Sequence, residues 1–248
     1  MKNGFLVPLA ILCLTLSMSQ CTSPLKKELA ETARDWNYVL PMPSSNDSIN
    51  LLFIRAEKSW YLFKTDQSDS LCDVMLSIDS TCHQALSFKA WVPLNLTYLN
   101  RAMALARSDT SVHRLVLEAD YAYWVNGDTA TAIRKFKEVY DRYPNSHTAS
   151  WCLGQAYLWA GHFNKAIEQY QRCLAISPVF PRANQMLGWA YYMTGDFQKS
   201  AENFMLSFSY GNHDEWDLRY AAKAFGKLRN MGEEQRLKAK ADSIAGLI

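Results

Sequence analysis

The chain has 248 residues, of which 49% are hydrophobic and 20% are charged. This composition is typical of a globular protein and is sufficient for one extended domain or two small ones. The net charge of +2 at pH 7 lacks the strong positive charge of nucleic-acid-binding domains, so no nucleic-acid partner is expected.

The first twenty residues have the pattern of an export signal. Lys2 supplies a positive start, and a nearly uncharged apolar run extends from Phe5 to Met18. This run of fourteen residues is shorter than the roughly 20 residues that a helix needs to span a bilayer. The pattern therefore predicts a signal peptide over residues 1–20.

Two processing routes compete at the end of this signal. An ordinary cut before Gln20 would release a soluble secreted protein. Alternatively, the segment from Met18 to Cys21 resembles the lipobox of bacterial lipoproteins, although Met18 and Gln20 depart from its usual residues. We favour lipidation of Cys21, with 21–24 as a tether, because this cysteine directly follows the apolar run. This predicts a protein that is lipid-anchored in the bacterial cell envelope and faces the periplasm or the exterior.

Residues 25–111 show a helical apolar period but lack the regular Gly and Tyr positions of the later chain. The period predicts five helices, over Leu25–Leu40, Ser48–Thr65, Ser68–Ser77, Thr81–Trp91 and Leu94–Ala106. Asp47 is a candidate cap for the second helix. We interpret residues 79–111 as a degenerate repeat and residues 25–78 as irregular capping helices, and we assign neither a function.

Between Val112 and Asp214 the sequence repeats itself with a period of 34 residues. The matched pairs include Leu153 with Leu187, Gly154 with Gly188, Tyr157 with Tyr191, Gly161 with Gly195, and Tyr170 with Phe204. The same positions one period earlier include Tyr123, Gly127, Ala132, Phe136 and Pro144. The first repeat departs from the pattern because it has Ala119-Asp120 where Leu-Gly would stand.

The spacing Leu-Gly-x-x-Tyr, then Ala-x-x-x-aromatic, then Pro resembles the tetratricopeptide repeat (TPR). Gly161 can adopt the left-handed conformation that ends one helix near Ala160, so that another begins near Asn164. Gly154 and Gly188 remove side chains where two helix backbones would come close. The resemblance implies an all-α, right-handed solenoid of stacked helical hairpins. We assign three repeats to 112–214 and a modified repeat with a C-terminal cap to 215–248, with its turn at Gly232.

A second stripe of side chains runs beside the core stripe on the first helix of each repeat. In TPR proteins this face lines the concave groove in which peptide segments bind, and Trp, Tyr and Arg dominate interface energy. The candidate groove residues are Tyr121, Trp124, Trp151, Gln155, Trp159, Arg182, Gln185, Trp189, Tyr192, Arg219 and Lys223. The alternative is that tight stacking or the N-terminal helices bury some of these rings, and that the basic residues form a solvated face.

These features predict a non-enzymatic, membrane-anchored adaptor that binds a protein or peptide segment in the concave groove. The Lys and Asn residues of chaperone-clamp TPR domains are replaced here by Leu117, Tyr121, Trp151 and Gln155, so a clamp is excluded. One alternative is an accessory subunit of an envelope assembly machine, held by its convex or N-terminal face. Another is a glycan-binding or enzymatic protein with a site in the N-terminal half, where Trp60, Tyr61, Trp91 and Tyr98 could stack on sugars.

The sequence contains no recognised catalytic motif and no Cys/His spacing typical of a metal site, so no cofactor is expected. His113 and His147 lie one period apart and are expected at the surface or at hairpin turns. Cys72 and Cys82 are candidates for a disulfide across a polar stretch, because disulfides persist outside the cytoplasm. Cys152 and Cys173 are expected to be small core or surface residues.

Overall fold

The computed structural model describes residues 23–91, 94–211 and 215–246. Helices account for all the regular structure in these ranges apart from one isolated bridge between Trp91 and Leu94. The helices are α1 Pro24–Asp35, α2 Asp47–Tyr61, α3 Thr65–Ile78, α4 His83–Lys89, α5 Leu96–Leu105, α6 Val112–Trp124, α7 Thr129–Arg142, α8 His147–Trp159, α9 Phe163–Ile176, α10 Pro181–Thr194, α11 Phe197–Ser209, α12 Glu215–Lys227 and α13 Met231–Ile244. A short 3₁₀ turn, Ala106–Ser108, follows α5. The predicted all-α solenoid of helical hairpins is confirmed.

The hairpins α6–α7, α8–α9 and α10–α11 lie within residues 112–214, where the sequence predicts three repeats. Gly161 has φ +74°, α8 ends at Trp159 and α9 begins at Phe163, as the repeat pattern predicts. The reason for Gly154 differs from the prediction. A Cβ atom there would lie 2.9 Å from Cε1 of Tyr170, so this glycine makes room for an aromatic ring of the second helix rather than for its backbone. Gly188 makes the same room for Phe204.

The final hairpin, α12–α13, turns three residues earlier than predicted. Arg229 adopts φ 59°, and the side chain of Asn230 caps α13 by accepting a hydrogen bond from the Glu233 amide at 3.2 Å. Gly232 lies inside α13, so its prediction as the turn is wrong. Asparagine is a favoured N-cap because its side-chain oxygen satisfies an amide that has no partner within the helix.

The five predicted N-terminal helices are present, with shifted ends. α1 stops at Asp35, five residues before the predicted Leu40, and Asn37 has φ 52°. The chain then runs irregularly and buries alternate side chains, those of Trp36, Tyr38 and Leu40. Asn46, rather than Asp47, caps α2 by accepting hydrogen bonds from the two amides that follow Asp47.

One hydrophobic core joins the N-terminal helices to the repeats. It contains Ile54 of α2 together with Phe136, Tyr170 and Phe180 from the repeats, all at most 1% exposed. Smaller clusters lie between α4, α5 and α6 and between α11, α12 and α13. The residues before the repeats are therefore part of the repeat core.

The export elements predicted from the sequence, a signal peptide over 1–20 and Cys21, lie outside the described residues, and α1 already begins at Pro24 within the predicted tether. Among the described helices, none combines the length and the apolarity that a bilayer crossing requires.

Candidate functional site

The segment from Trp36 to Tyr61 lies on the inner face of the repeats. Glu57 of α2 accepts hydrogen bonds from the Thr148 hydroxyl of α8 at 3.0 Å and from the Trp36 indole at 3.2 Å. His113 Nε2 of α6 donates to the Pro41 carbonyl oxygen at 2.8 Å. The N-terminal part of the chain therefore occupies the groove in front of α6 and α8.

Aromatic rings interlock along this contact. The Tyr61 ring lies 4.5 Å from Phe180 and 5.2 Å from Trp151, between centroids, and the Trp60 ring also lies 5.2 Å from Trp151. The Arg182 guanidinium stacks 4.0 Å from the Trp60 ring centroid, and its Nε donates to the Trp60 carbonyl. Trp151 is only 8% exposed as a result. Trp151 and Arg182 therefore hold α2 in place, and the sequence prediction that they line an open groove is corrected.

Trp91, just after α4, fills the groove at the other end of α6 and α8. Its ring centroid lies 5.5 Å from that of Trp124 and 6.4 Å from that of Trp159. The Trp159 ring also stacks on Tyr123 at 3.9 Å. Trp124 and Trp159 are half-buried and are used in packing between helices.

Tyr121 and Gln155 make polar contacts within the fold. The Tyr121 hydroxyl donates to the Asn100 side chain of α5 at 3.0 Å. Gln155 accepts from the Tyr170 hydroxyl of α9, also at 3.0 Å, and thus joins the two helices of its own hairpin. Neither contact excludes a further partner, because both residues keep part of their surface exposed.

The inner face of α10 and α12 remains accessible. Trp189 packs 4.1 Å from Tyr220, Trp216 stacks on the same ring at 6.3 Å, and the Lys223 ammonium lies 4.4 Å from its centroid. Trp216 is 52% exposed. We call this surface the open C-terminal face; its residues are Trp189, Tyr192, Met193, Trp216, Tyr220 and Lys223.

Two other predicted residues beside this face are already paired. The Gln185 amide donates to Asp217 at 2.8 Å and links α10 to α12. Arg219 forms an ion pair with Asp242 of α13 at 2.9 Å. The exposed basic residues that remain on α12 are Lys223, which the sequence predicts for the groove, and Lys227.

A cavity of about 80 Å³ lies between α2, α4, α6 and α8. Six aromatic residues line it, namely Phe53, Trp60, Tyr61, Phe88, Trp91 and Trp151. Two buried acids line it too. Burial raises the pKa of Glu57 to about 7, although hydrogen bonds from Thr148 and Trp36 oppose the shift. Burial alone raises the pKa of Asp120 well above its usual value.

The sequence analysis gave these acids no role. A signal was present for Asp120, because this residue replaces the glycine that the next two repeats have at the same place. No comparable signal marks Glu57, whose partners come from residues far away in the sequence.

The histidine prediction is wrong for the two histidines that face the N-terminal segment. His113 is 7% exposed, and His147 is fully buried against the Trp36 ring at 4.9 Å. Burial lowers the pKa of His147 to about 4, since the packed rings around it disfavour the charged form. Both are neutral packing residues.

Cys72, Cys82, Cys152 and Cys173 are free, buried thiols. The Cys72–Cys82 disulfide predicted from the sequence is therefore not formed in this structure. Across the described ranges, no cluster of three or more His, Cys, Asp or Glu residues is arranged to hold a metal ion.

Comparison with solved structures shows what this fold is similar to. PilW, described as a widely conserved type IV pilus biogenesis factor, superposes with a TM-score of 0.55 at 18% identity, over 80% of this chain and 94% of PilW. MamA from MSR-1 superposes with a TM-score of 0.53 at 14% identity, over 66% of this chain and 97% of MamA. At these identities the likeness shows the fold alone.

Sequence comparison locates the repeats. None of the curated proteins compared with this chain matches it. The model of the tetratricopeptide repeat family matches residues 121–178 and again 153–204, which together span about a third of the chain. These matches fall within the hairpins from α6 to α11, so this part of the chain consists of tetratricopeptide repeats.

Proposed function

We propose that this chain is an exported, membrane-anchored interaction scaffold whose partner binds the open C-terminal face. One observation carries the choice of surface. The inner face of the first two repeats is covered by α2 and Trp91, whereas Trp216 and Met193 on the continuation of the same face are 52% and 53% exposed. The repeat fold supports a role in protein interaction, because stacked hairpins present an extended surface to partners.

The chemistry of the open C-terminal face suggests the chemistry of the partner. Exposed Trp and Met side chains favour apolar contacts, and Met adapts its shape to what it touches. Lys223 and Lys227 add positive charge, while Arg219 is neutralised by Asp242. We therefore propose a protein segment with apolar side chains beside acidic ones, since complementary charge steers association.

Anchoring is proposed on sequence grounds. The resemblance of the segment ending at Cys21 to a lipobox supports a lipid anchor, and two or more acyl chains hold a protein stably on a membrane. Because α1 begins at Pro24, only two residues would separate a lipidated Cys21 from the first helix. Cys21→Ser, followed by fractionation of cells, tests this. A variant that still sediments with membranes would contradict the anchor.

The partner surface is tested by crosslinked pull-down from native membranes. The double variant Trp216→Ala with Lys223→Glu should lose a partner that the wild type captures. The matched control is Tyr210→Ala with Lys165→Glu, which removes an exposed ring and an exposed lysine at the end of α11 and on α9. A partner that both doubles retain, or that both lose, would rule out the open C-terminal face.

The alternatives have less support from the described residues. Trp60 and Tyr61 are 8% and 4% exposed, so they offer no open platform for a sugar ring. The role of an accessory subunit held by its N-terminal face invites a deletion of residues 25–78, but such a deletion would not test it. That deletion removes α2 from the hydrophobic core, and we expect it to unfold the repeats.

A further inference from the structure

We propose that the cavity between α2, α4, α6 and α8 binds a small organic cation, an alkylammonium compound, with Asp120 as its counter-charge and the surrounding rings as its walls. This site is distinct from the open C-terminal face and does not depend on the proposed function. Four observations support it: an unpaired buried acid, aromatic walls, the engagement of the other acid and of both histidines, and the size of the cavity.

Asp120 is a buried acid that the fold itself does not need. It lies on α6 and is 5% exposed, and no described residue forms a hydrogen bond or an ion pair with its carboxyl group. The corresponding residues of the next two repeats are Gly154 and Gly188, so the hairpin requires no carboxyl here. Buried polar groups are nearly always paired, and each exception calls for an explanation. A bound cation would supply the missing partner.

The walls of the cavity suit a cation. Trp60 and Tyr61 meet Trp151 at 87° and 69° between ring planes, and Phe53 meets Phe88 at 70°. Because these ring planes are steeply inclined to one another, the cavity is bounded by aromatic rings in several orientations. Aromatic faces attract ammonium groups through their quadrupole, and the attraction is strongest where water is excluded.

The other acid and both histidines of the cavity already have partners. Glu57 accepts from Trp36 and Thr148, and His113 donates to the Pro41 carbonyl. His83 contacts Asp109 at 2.9 Å. No lysine or arginine is among the described residues that line the cavity. The group left without a partner is therefore the Asp120 carboxyl, and a bound cation would favour its charged form, with loss of its proton, whereas an anion would oppose that form.

The size of the cavity restricts the ligand. Its volume of about 80 Å³ corresponds to about five to eight water molecules, or to an organic group with a similar number of heavy atoms. Choline and comparable alkylammonium compounds have this size. Ser87, Phe88 and Trp91 line the cavity and keep part of their surface exposed, which marks the side beside α4 as the entrance.

Isothermal titration of the purified protein with choline and with its neutral isostere, 3,3-dimethylbutan-1-ol, tests the proposal. Choline should bind at least about tenfold more tightly than the alcohol, because only the cation gains from Asp120 and the ring faces. Asp120→Asn keeps the volume of the side chain and removes its charge, and should weaken choline binding at least about tenfold. Asp141→Asn, which neutralises an exposed acid on α7, should bind choline like the wild type.

Three results would overturn the proposal: no binding of choline, equal binding of choline and the alcohol, or unchanged choline binding by Asp120→Asn. Binding of the alcohol alone would identify an apolar cavity without selectivity for charge. The comparison of the two ligands uses only the wild type, so it decides the question even if Asp120→Asn does not fold. Melting followed by circular dichroism establishes whether each variant is folded.

Discussion

Glu57 should make the stability of this protein depend on pH, in the direction opposite to that of a salt-bridged acid. Its folded-state pKa of about 7 lies above the ordinary value of 4.5. Between these two values the unfolded chain releases the Glu57 proton while the folded chain keeps it. The contribution of Glu57 to the unfolding free energy is therefore complete below pH 4.5 and is lost as the pH rises through 7. Glu57→Gln removes this titration, and the Thr148 hydroxyl can accept a hydrogen bond from the new amide.

The magnitude follows from the shift. A change of about 2.5 pKa units corresponds to about 3 kcal/mol of unfolding free energy. For a protein of this size that is a change in Tm of about 6 to 12 °C. The difference in unfolding free energy, wild type minus Glu57→Gln, should therefore fall by about 3 kcal/mol between pH 4.5 and pH 8.

Urea denaturation at a series of pH values measures this difference. Subtracting the variant from the wild type isolates Glu57 from the titratable groups around it, which include Tyr38, Tyr61, His113, Asp120 and Cys152. Glu138→Gln is the matched control, because Glu138 is half-buried on α7 and pairs with Arg142 of the next helical turn. Its difference should stay within about 1 kcal/mol at every pH. A pH-independent difference for Glu57→Gln would refute the buried-acid reasoning.

Three further predictions concern stability and access. Gly161→Ala should destabilise the protein by about 1–2 kcal/mol because Gly161 has φ +74°. Gly232→Ala, inside α13, should instead stabilise it by up to about 1 kcal/mol. The urea midpoints of the two variants measure this difference, and equal midpoints would contradict the backbone conformations given above. Trp36→Ala should cost about 3–5 kcal/mol, because that ring packs on His147 and its indole donates to Glu57; a loss below 1 kcal/mol would show that the segment is not docked. Cys72 and Cys82 should resist alkylation in the folded protein, since both are buried and burial raises the pKa of the Cys72 thiol to about 12. In urea both thiols should react without reductant. If they react only after reduction, the two cysteines form a disulfide.

The repeat part of the fold could be predicted because its information is local and periodic. Gly161 shows this well, since one residue ends a helix by its backbone conformation and recurs every 34 residues. The path after α1 could not be predicted. Asn37 turns the chain with a φ of 52°, a conformation that is normally predicted only where the sequence has a glycine.

The candidate groove was predicted only in part, for a related reason. The stripe on α8 does face inward, but whether Trp151 is exposed depends on a contact with Tyr61, which is ninety residues away in the sequence. Periodicity identifies residues that share a face and carries no information about what covers that face. The burial of His147 has the same cause. The sequence shows Asp120 as a departure from the repeat. It does not show that the carboxyl group is buried in a cavity, because that cavity forms only when α2 packs against the repeats.

The docked α2 also sets a threshold for any outside ligand of the first two repeats. A segment tethered to its own binding surface competes with an effective concentration of the order of millimolar. Consider a free peptide at micromolar concentration. To occupy that surface in half of the molecules, its intrinsic affinity for the surface would have to be about a thousandfold higher than that of the α2 segment. The same tether imposes no such competition on the open C-terminal face, so a weak partner can bind there at concentrations that leave α6 and α8 unoccupied.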